Sequence, residues 1–157
     1  MLCERGPPGP TRWSSPRPPG TPVDETARAG AVLVDVLHLM VPPYTTHLEL
    51  VRAAAAHAAD GAGLGPDDRD DLCLAVDELC QVVLAATDFA ILVTFTTEPG
   101  AVTARVVGRR REGAEVREVS GLAAAVLTRA VDFFALDPAD DAVEGVVVKC
   151  RARTRRP

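Results

Sequence analysis

The chain has 157 residues, 47% of them hydrophobic, and a formal charge of -5 at pH 7. That is enough apolar material for one domain with a core, and the acid excess argues against a general nucleic-acid binder, which needs a basic face to neutralise phosphates. No run of about 18 apolar residues is available to cross a membrane and no apolar signal-peptide core opens the chain, so a cytoplasmic protein is expected.

Residues 1–28 hold seven prolines and three glycines with no apolar periodicity, the composition of a disordered arm. Trp13, the chain's only tryptophan, suits either an incidental position in such an arm or an anchor to a partner. From residue 29 to 153 the pattern is that of a mixed domain, and residues 154–157 form a short basic tail. Ala31 to Val41 is rich in valine and leucine and stops at Pro42-Pro43, which predicts a first strand. Thr45 or Thr46 is placed to cap a helix from about His47 to Ala59, and Gly61 to Gly65 breaks it. A second helix follows Pro66, with Asp67, Asp68 and Asp70 at the positive end of its dipole, and ends at Thr87-Asp88. Phe89 to Thr96 and Ala101 to Val107 are β-branched runs joined by Glu98-Pro99-Gly100, a hairpin signal. A third helix is expected from Gly121 to about Ala135, and a last strand from Ala142 to about Arg153. The order strand, helix, helix, strand, strand, helix, strand gives an α+β, two-layer sandwich with helices on one face of a mostly antiparallel sheet.

The second helix carries the most information. Leu72, Val76, Leu79, Val83 and Ala86 recur at the spacing of a buried stripe, and Ala75, Glu78, Val82 and Ala85 form a second stripe about 100° away. Glu78 and Val82 are therefore neighbours one turn apart. Leu74-Ala75-Val76-Asp77-Glu78 resembles the second-helix motif of the anti-sigma regulatory factors in the histidine-kinase-like ATPase superfamily, and the resemblance extends over residues 31–153. In that family the glutamate is the general base of a serine kinase and an asparagine four residues on holds the magnesium of ATP. Here that position is Val82, which has no oxygen to offer a hard cation, and the chain contains no asparagine.

Two further family elements are similarly reduced. The resemblance implies an adenine-reading aspartate in a glycine turn after the third strand, where this chain has Gly108-Arg109-Arg110-Arg111-Glu112-Gly113. It also implies a glycine-rich lid before the last helix, where Ser120-Gly121-Leu122 keeps one glycine. Gly108, Gly113 and Gly121 are thus the residual cofactor-binding candidates. Gly121 suits either an anion at a helix N-terminus or a plain cap. Arg109 to Arg111 suit either phosphate pairing or a solvated loop, and the acidic and basic runs elsewhere, including the Lys149 to Arg156 end, read as solvated faces and a tail. Glu78 stands as the catalytic candidate or as a remnant that needs only water or an arginine partner.

Cys73 and Cys80 lie too far apart on one helix for a disulfide and, with Cys3 and Cys150, lack zinc-site spacing; reduced thiols are expected, with a pairing to Cys150 left open. His38, His47 and His57 show no metal-ligand spacing, so no metal site is expected. The resemblance implies an anti-sigma factor that sequesters a sigma factor and is read by a sulfate-transporter-and-antagonist (STAS) type domain, with homodimerisation and a partner-contacting arginine at Arg52. Such action needs no turnover and no bound cofactor. The alternative the resemblance implies is an ATP- and magnesium-dependent serine kinase of that antagonist, using Glu78.

Overall fold

A computed structural model describes residues 34–116, 119 and 121–152 of the chain. The chain divides into two units, Met1–Ala31 and Val32–Pro157; the expected arm at 1–28, Trp13, Cys3 and the tail at 154–157 lie outside the described residues.

The second unit is an α+β two-layer sandwich. Its elements are β1 (Asp35–Val41), α1 (Leu48–Ala62), α2 (Pro66–Ala85), β2 (Ile91–Glu98), β3 (Ala101–Arg109), α3 (Gly121–Ala130), β4 (Phe133–Pro138) and β5 (Ala142–Cys150). The strands form one sheet in the order β1-β2-β3-β5-β4, antiparallel at every pairing. The period-two alternation expected for half-buried strands sets the inner face. Ile91, Val93 and Phe95 of β2, Val102, Ala104 and Val106 of β3, and Val143 and Val147 of β5 are buried, and their intervening neighbours are more exposed. The helices cover that face, and α1 and α2 contribute Val51, Ala55, Ala59, Leu72, Val76, Leu79 and Val83 to the core.

The helix-to-sheet distance is fixed by two inward-facing glycines. A Cβ at Gly145 of β5 would overlap Leu79 Cδ1 and stand 2.9 Å from Leu79 Cγ, and one at Gly108 of β3 would stand 2.8 Å from Val83 Cγ1. Both lie below any real Cβ contact, so α2 rests directly on bare backbone.

Several boundaries differ from expectation, four of them by more than a small shift. No threonine caps α1: Thr45–His47 is a single 3-10 turn, and His47 is the N-cap residue without a side-chain cap bond. The helix then runs past Gly61 to Ala62 and stops at Gly63, whose φ of 68° is the left-handed conformation of a helix C-terminus. The third helix ends at Ala130 rather than continuing to Ala135. Phe133–Pro138 is instead an edge strand pairing with β5, with Phe134 and Leu136 turned to the core. β5 closes at Cys150, where the Cys150 amide donates to Asp132 Oδ2 at 2.7 Å.

Candidate functional site

α2 lies between α1 and α3, and each flank carries a different group of residues. Its core stripe, Leu72, Val76, Leu79, Val83 and Ala86, is buried throughout. On the second stripe Ala75 is buried, Glu78 and Val82 are half-buried and Ala85 is exposed. Asp71 opens this stripe one turn before Ala75. It pairs with Lys149 Nζ at 2.9 Å, and the same ammonium donates to the Ala130 carbonyl at the end of α3 at 2.8 Å. Glu78 and Val82 therefore lie along the α3 flank of α2. Glu78 makes no hydrogen bond or ion pair among the described residues.

The opposite flank meets α1. Cys73, Asp77 and Gln81 follow one another at one-turn intervals, and all three take part in a single set of contacts. Gln81 Nε2 donates to Asp77 Oδ2 at 2.9 Å, Arg52 Nε stands 3.3 Å from Asp77 Oδ1, and the Cys73 thiol donates to the Arg52 carbonyl at 3.6 Å. Asp77 Oδ1 is buried and has no hydrogen-bond partner, so the Arg52 charge is what offsets its desolvation. The Arg52 side chain is 51% exposed, against 18% for Asp77. Arg52 is thus an exposed α1 arginine held on one edge by α2.

The glycine and arginine candidates are placed differently from one another. Gly108 faces inward, and the space its side chain would take is filled by Val83, Ile91 and Thr87. Gly113, at φ 73°, and Gly121, the first residue of α3, both have open space where a Cβ would stand.

The three arginines make contacts within the protein, while Arg109 and Arg111 remain exposed to solvent. Arg109 lies over the Phe89 ring at 5.1 Å. Arg110 donates to the Ala114 carbonyl from Nε (2.9 Å) and Nη2 (2.6 Å), and to the Ala139 carbonyl from Nη1. Arg111 pairs with Asp88 at 3.0 Å and reaches the Ala85 carbonyl, while its amide donates to the Ala86 carbonyl at 2.8 Å. Arg111 therefore ties the loop after β3 to the carbonyl end of α2, where a cation suits the helix dipole.

Lys149 departs from the solvated reading. It is the only lysine of the chain, and it points inward from β5. Its side chain is 10% exposed and its ammonium lies 3.2 Å from Asp68 Oδ1 and 2.9 Å from Asp71 Oδ2. Asp68 in turn accepts from the Ala152 amide at 2.9 Å. That backbone bond, together with the ammonium, holds the Asp68 carboxyl below the usual range. Burial alone would lower the lysine, but hydrogen bonds to Asp71 and Asp68 outweigh it and the Lys149 pKa is raised. The cluster joins the start of α2, the end of α3 and β5.

Cys73, Cys80 and Cys150 are free thiols, which leaves the open pairing with Cys150 unformed. Burial pushes Cys80 up to about 12. Among the described residues no group of histidine, cysteine or acidic side chains is arranged to hold a metal, and no helix is long and apolar enough to cross a membrane. A groove of about 260 Å³ lies between β1 and α1, lined by Asp35, Leu37, His57 and Thr97. Another of about 520 Å³ lies at the α1–α2 turn beside Asp68 and Arg151. Neither includes Arg52, Glu78 or Val82.

No protein-family model matches the chain, and no curated protein does. Among solved structures, a chain of the SiaB–SiaC complex from Pseudomonas aeruginosa is similar, with a TM-score of 0.50 at 12% identity over 72% of this chain and 88% of that one. At that identity the likeness is one of fold.

Proposed function

We propose that the domain at residues 29–153 is a cytoplasmic anti-sigma factor, which binds and sequesters a sigma factor through the outer surface of α1 and is itself read by a STAS-type antagonist. The observation that carries this reading is the placement of Arg52: an exposed, permanently charged fork on α1, braced by the helix that bears the Leu74 to Glu78 motif. The likeness to a chain crystallised as part of a two-protein complex supports a protein partner for this fold in general. Homodimerisation belongs to the same reading and rests on family resemblance.

This regulatory action is proposed to proceed without magnesium and ATP. Val82 offers no oxygen where the family has its metal-binding amide, and the space beside Gly108, where the family turn reads adenine, is filled by Val83, Ile91 and Thr87. One observation favours the kinase as a second reading: Glu78 is half-buried and makes no hydrogen bond or ion pair among the described residues, so its carboxylate is uncommitted as a general base's would be.

The test is capture of purified sigma factors and STAS-type domains of the source organism by the full chain, repeated with Arg52→Glu. The variant also loses the charge beside Asp77, so its melting temperature falls; sigma-factor binding that weakens by about 30-fold or more at a temperature where the variant stays folded supports the reading. Failure of every sigma factor to bind refutes it, and phosphate transfer to a serine of an antagonist would establish the kinase instead.

A further inference from the structure

The geometry points to Asp77 as a positioning residue for partner recognition: braced by Gln81, it holds the Arg52 guanidinium by its Nε edge and leaves the two Nη groups for a carboxylate of the partner. This inference rests on the reading of Arg52 as a partner contact and adds what makes that contact selective.

A guanidinium has five N–H donors in a fixed fork. Arg52 approaches Asp77 most closely through Nε, 3.3 Å from Oδ1, and neither Nη makes a hydrogen bond among the described residues. The Nη pair is the edge that binds a carboxylate with two parallel hydrogen bonds, so the contact that holds Arg52 does not consume the edge that a ligand needs. A further contact restricts the fork: Gln81 fixes Asp77 through its other oxygen. The Cys73 thiol contacts the Arg52 backbone carbonyl and ties α1 to α2 at the same point. An arginine swinging freely at the surface loses rotamer entropy when it binds, and one already held loses less.

Asp77 also limits where Arg52 can go. Its Oδ1 is buried without a hydrogen-bond partner. A ligand that pulled the guanidinium away would leave that oxygen buried beside no charge, at a cost that opposes the displacement. A partner carboxylate that approaches the Nη edge avoids it. The surface therefore selects an acidic side chain that docks end-on, and disfavours one that must replace Asp77.

The test uses the full chain and a sigma factor captured as described above. Affinity is measured for Arg52→Ala, Asp77→Asn, Asp77→Glu and Gln81→Ala, and the mobility of the Arg52 guanidinium is followed by nitrogen-15 relaxation at Nε. We expect Asp77→Asn to weaken binding by about 5- to 10-fold, to add nothing in an Arg52→Ala background, and to raise the mobility of the guanidinium. Asp77→Glu, which keeps the charge, restores part of the affinity. Gln81→Ala, at an exposed position, shows a smaller loss in the same direction. If Arg52→Ala weakens binding while Asp77→Asn leaves it unchanged or tightens it, Asp77 is no positioning residue and the Arg52 reading survives. If Arg52→Ala has no effect, or no sigma factor binds, both fall.

Discussion

Replacing Gly145 with alanine tests how closely α2 rests on the sheet. The added methyl would overlap Leu79 Cδ1 and stand 2.9 and 3.1 Å from Leu79 Cγ and Cδ2. Leu79 is fully buried and cannot turn out to solvent. Overpacking of this kind costs about 1–3 kcal/mol, less about 0.5–1 kcal/mol recovered because alanine is stiffer than glycine in a strand, so Gly145→Ala should destabilise by about 1–2 kcal/mol. Leu79→Ala alone leaves a cavity and should cost about 2–5 kcal/mol. In the double variant the new methyl enters the space the leucine leaves. The pair should therefore cost about 1–2 kcal/mol less than the sum of the singles. Urea denaturation followed by circular dichroism reads all three values. Additivity within about 0.5 kcal/mol would refute direct contact between α2 and the backbone of β5.

Lys149→Met removes the cation between Asp68 and Asp71; because Asp71 is half-exposed and can rehydrate, the low end of the buried-pair penalty applies. About 3 kcal/mol should be lost, or roughly 10 °C in melting temperature by calorimetry. The same cluster sets the pH limits. The Asp68 pKa is lowered on folding, so its contribution is present above about pH 4 and lost as pH falls through the folded value; that of Lys149 is raised, so its contribution is present below about pH 10 and lost as pH rises through its folded value. A flat melting temperature across either limit in the native chain would contradict this. Native alkylation at pH 8 should label the exposed Cys150 and spare Cys80, whose thiol is pushed up to about 12, until denaturant is added; peptide mass mapping decides. Deleting residues 1–28 should preserve cooperative melting, since a segment of that composition cannot offset its own ordering entropy, and loss of the transition would make the segment part of the fold.

Where periodicity is strong the sequence announces the structure. The α2 stripe, the Pro66 start and the Glu98-Pro99-Gly100 hairpin all sit where spacing and turn chemistry put them, and Gly100, at φ 83°, supplies the turn. β4 was hidden because Phe133 to Leu136 continues the apolar run of α3 without a glycine or proline between them. The break comes from the free edge of β5, which Phe133–Pro138 completes.

Period-two alternation along β5 places Gly145 and Lys149 on the inward face with Val143 and Val147. It carried both the close helix contact and the buried lysine, whose acid partners had to come from a helix. The Arg52 to Asp77 pairing had no such signal. It depends on how two helices turn against each other, which neither helix encodes alone.

The claim that regulation here needs no nucleotide is tested most directly by calorimetry of the full chain against a sigma factor, with and without magnesium-ATP. Sigma-factor affinity should be the same in both titrations, and magnesium-ATP alone should give no micromolar binding heat, because Val82 cannot hold the cation and Gly108 is closed by its neighbours. Sigma-factor binding that appears only with magnesium-ATP, or micromolar affinity for the nucleotide itself, would contradict it.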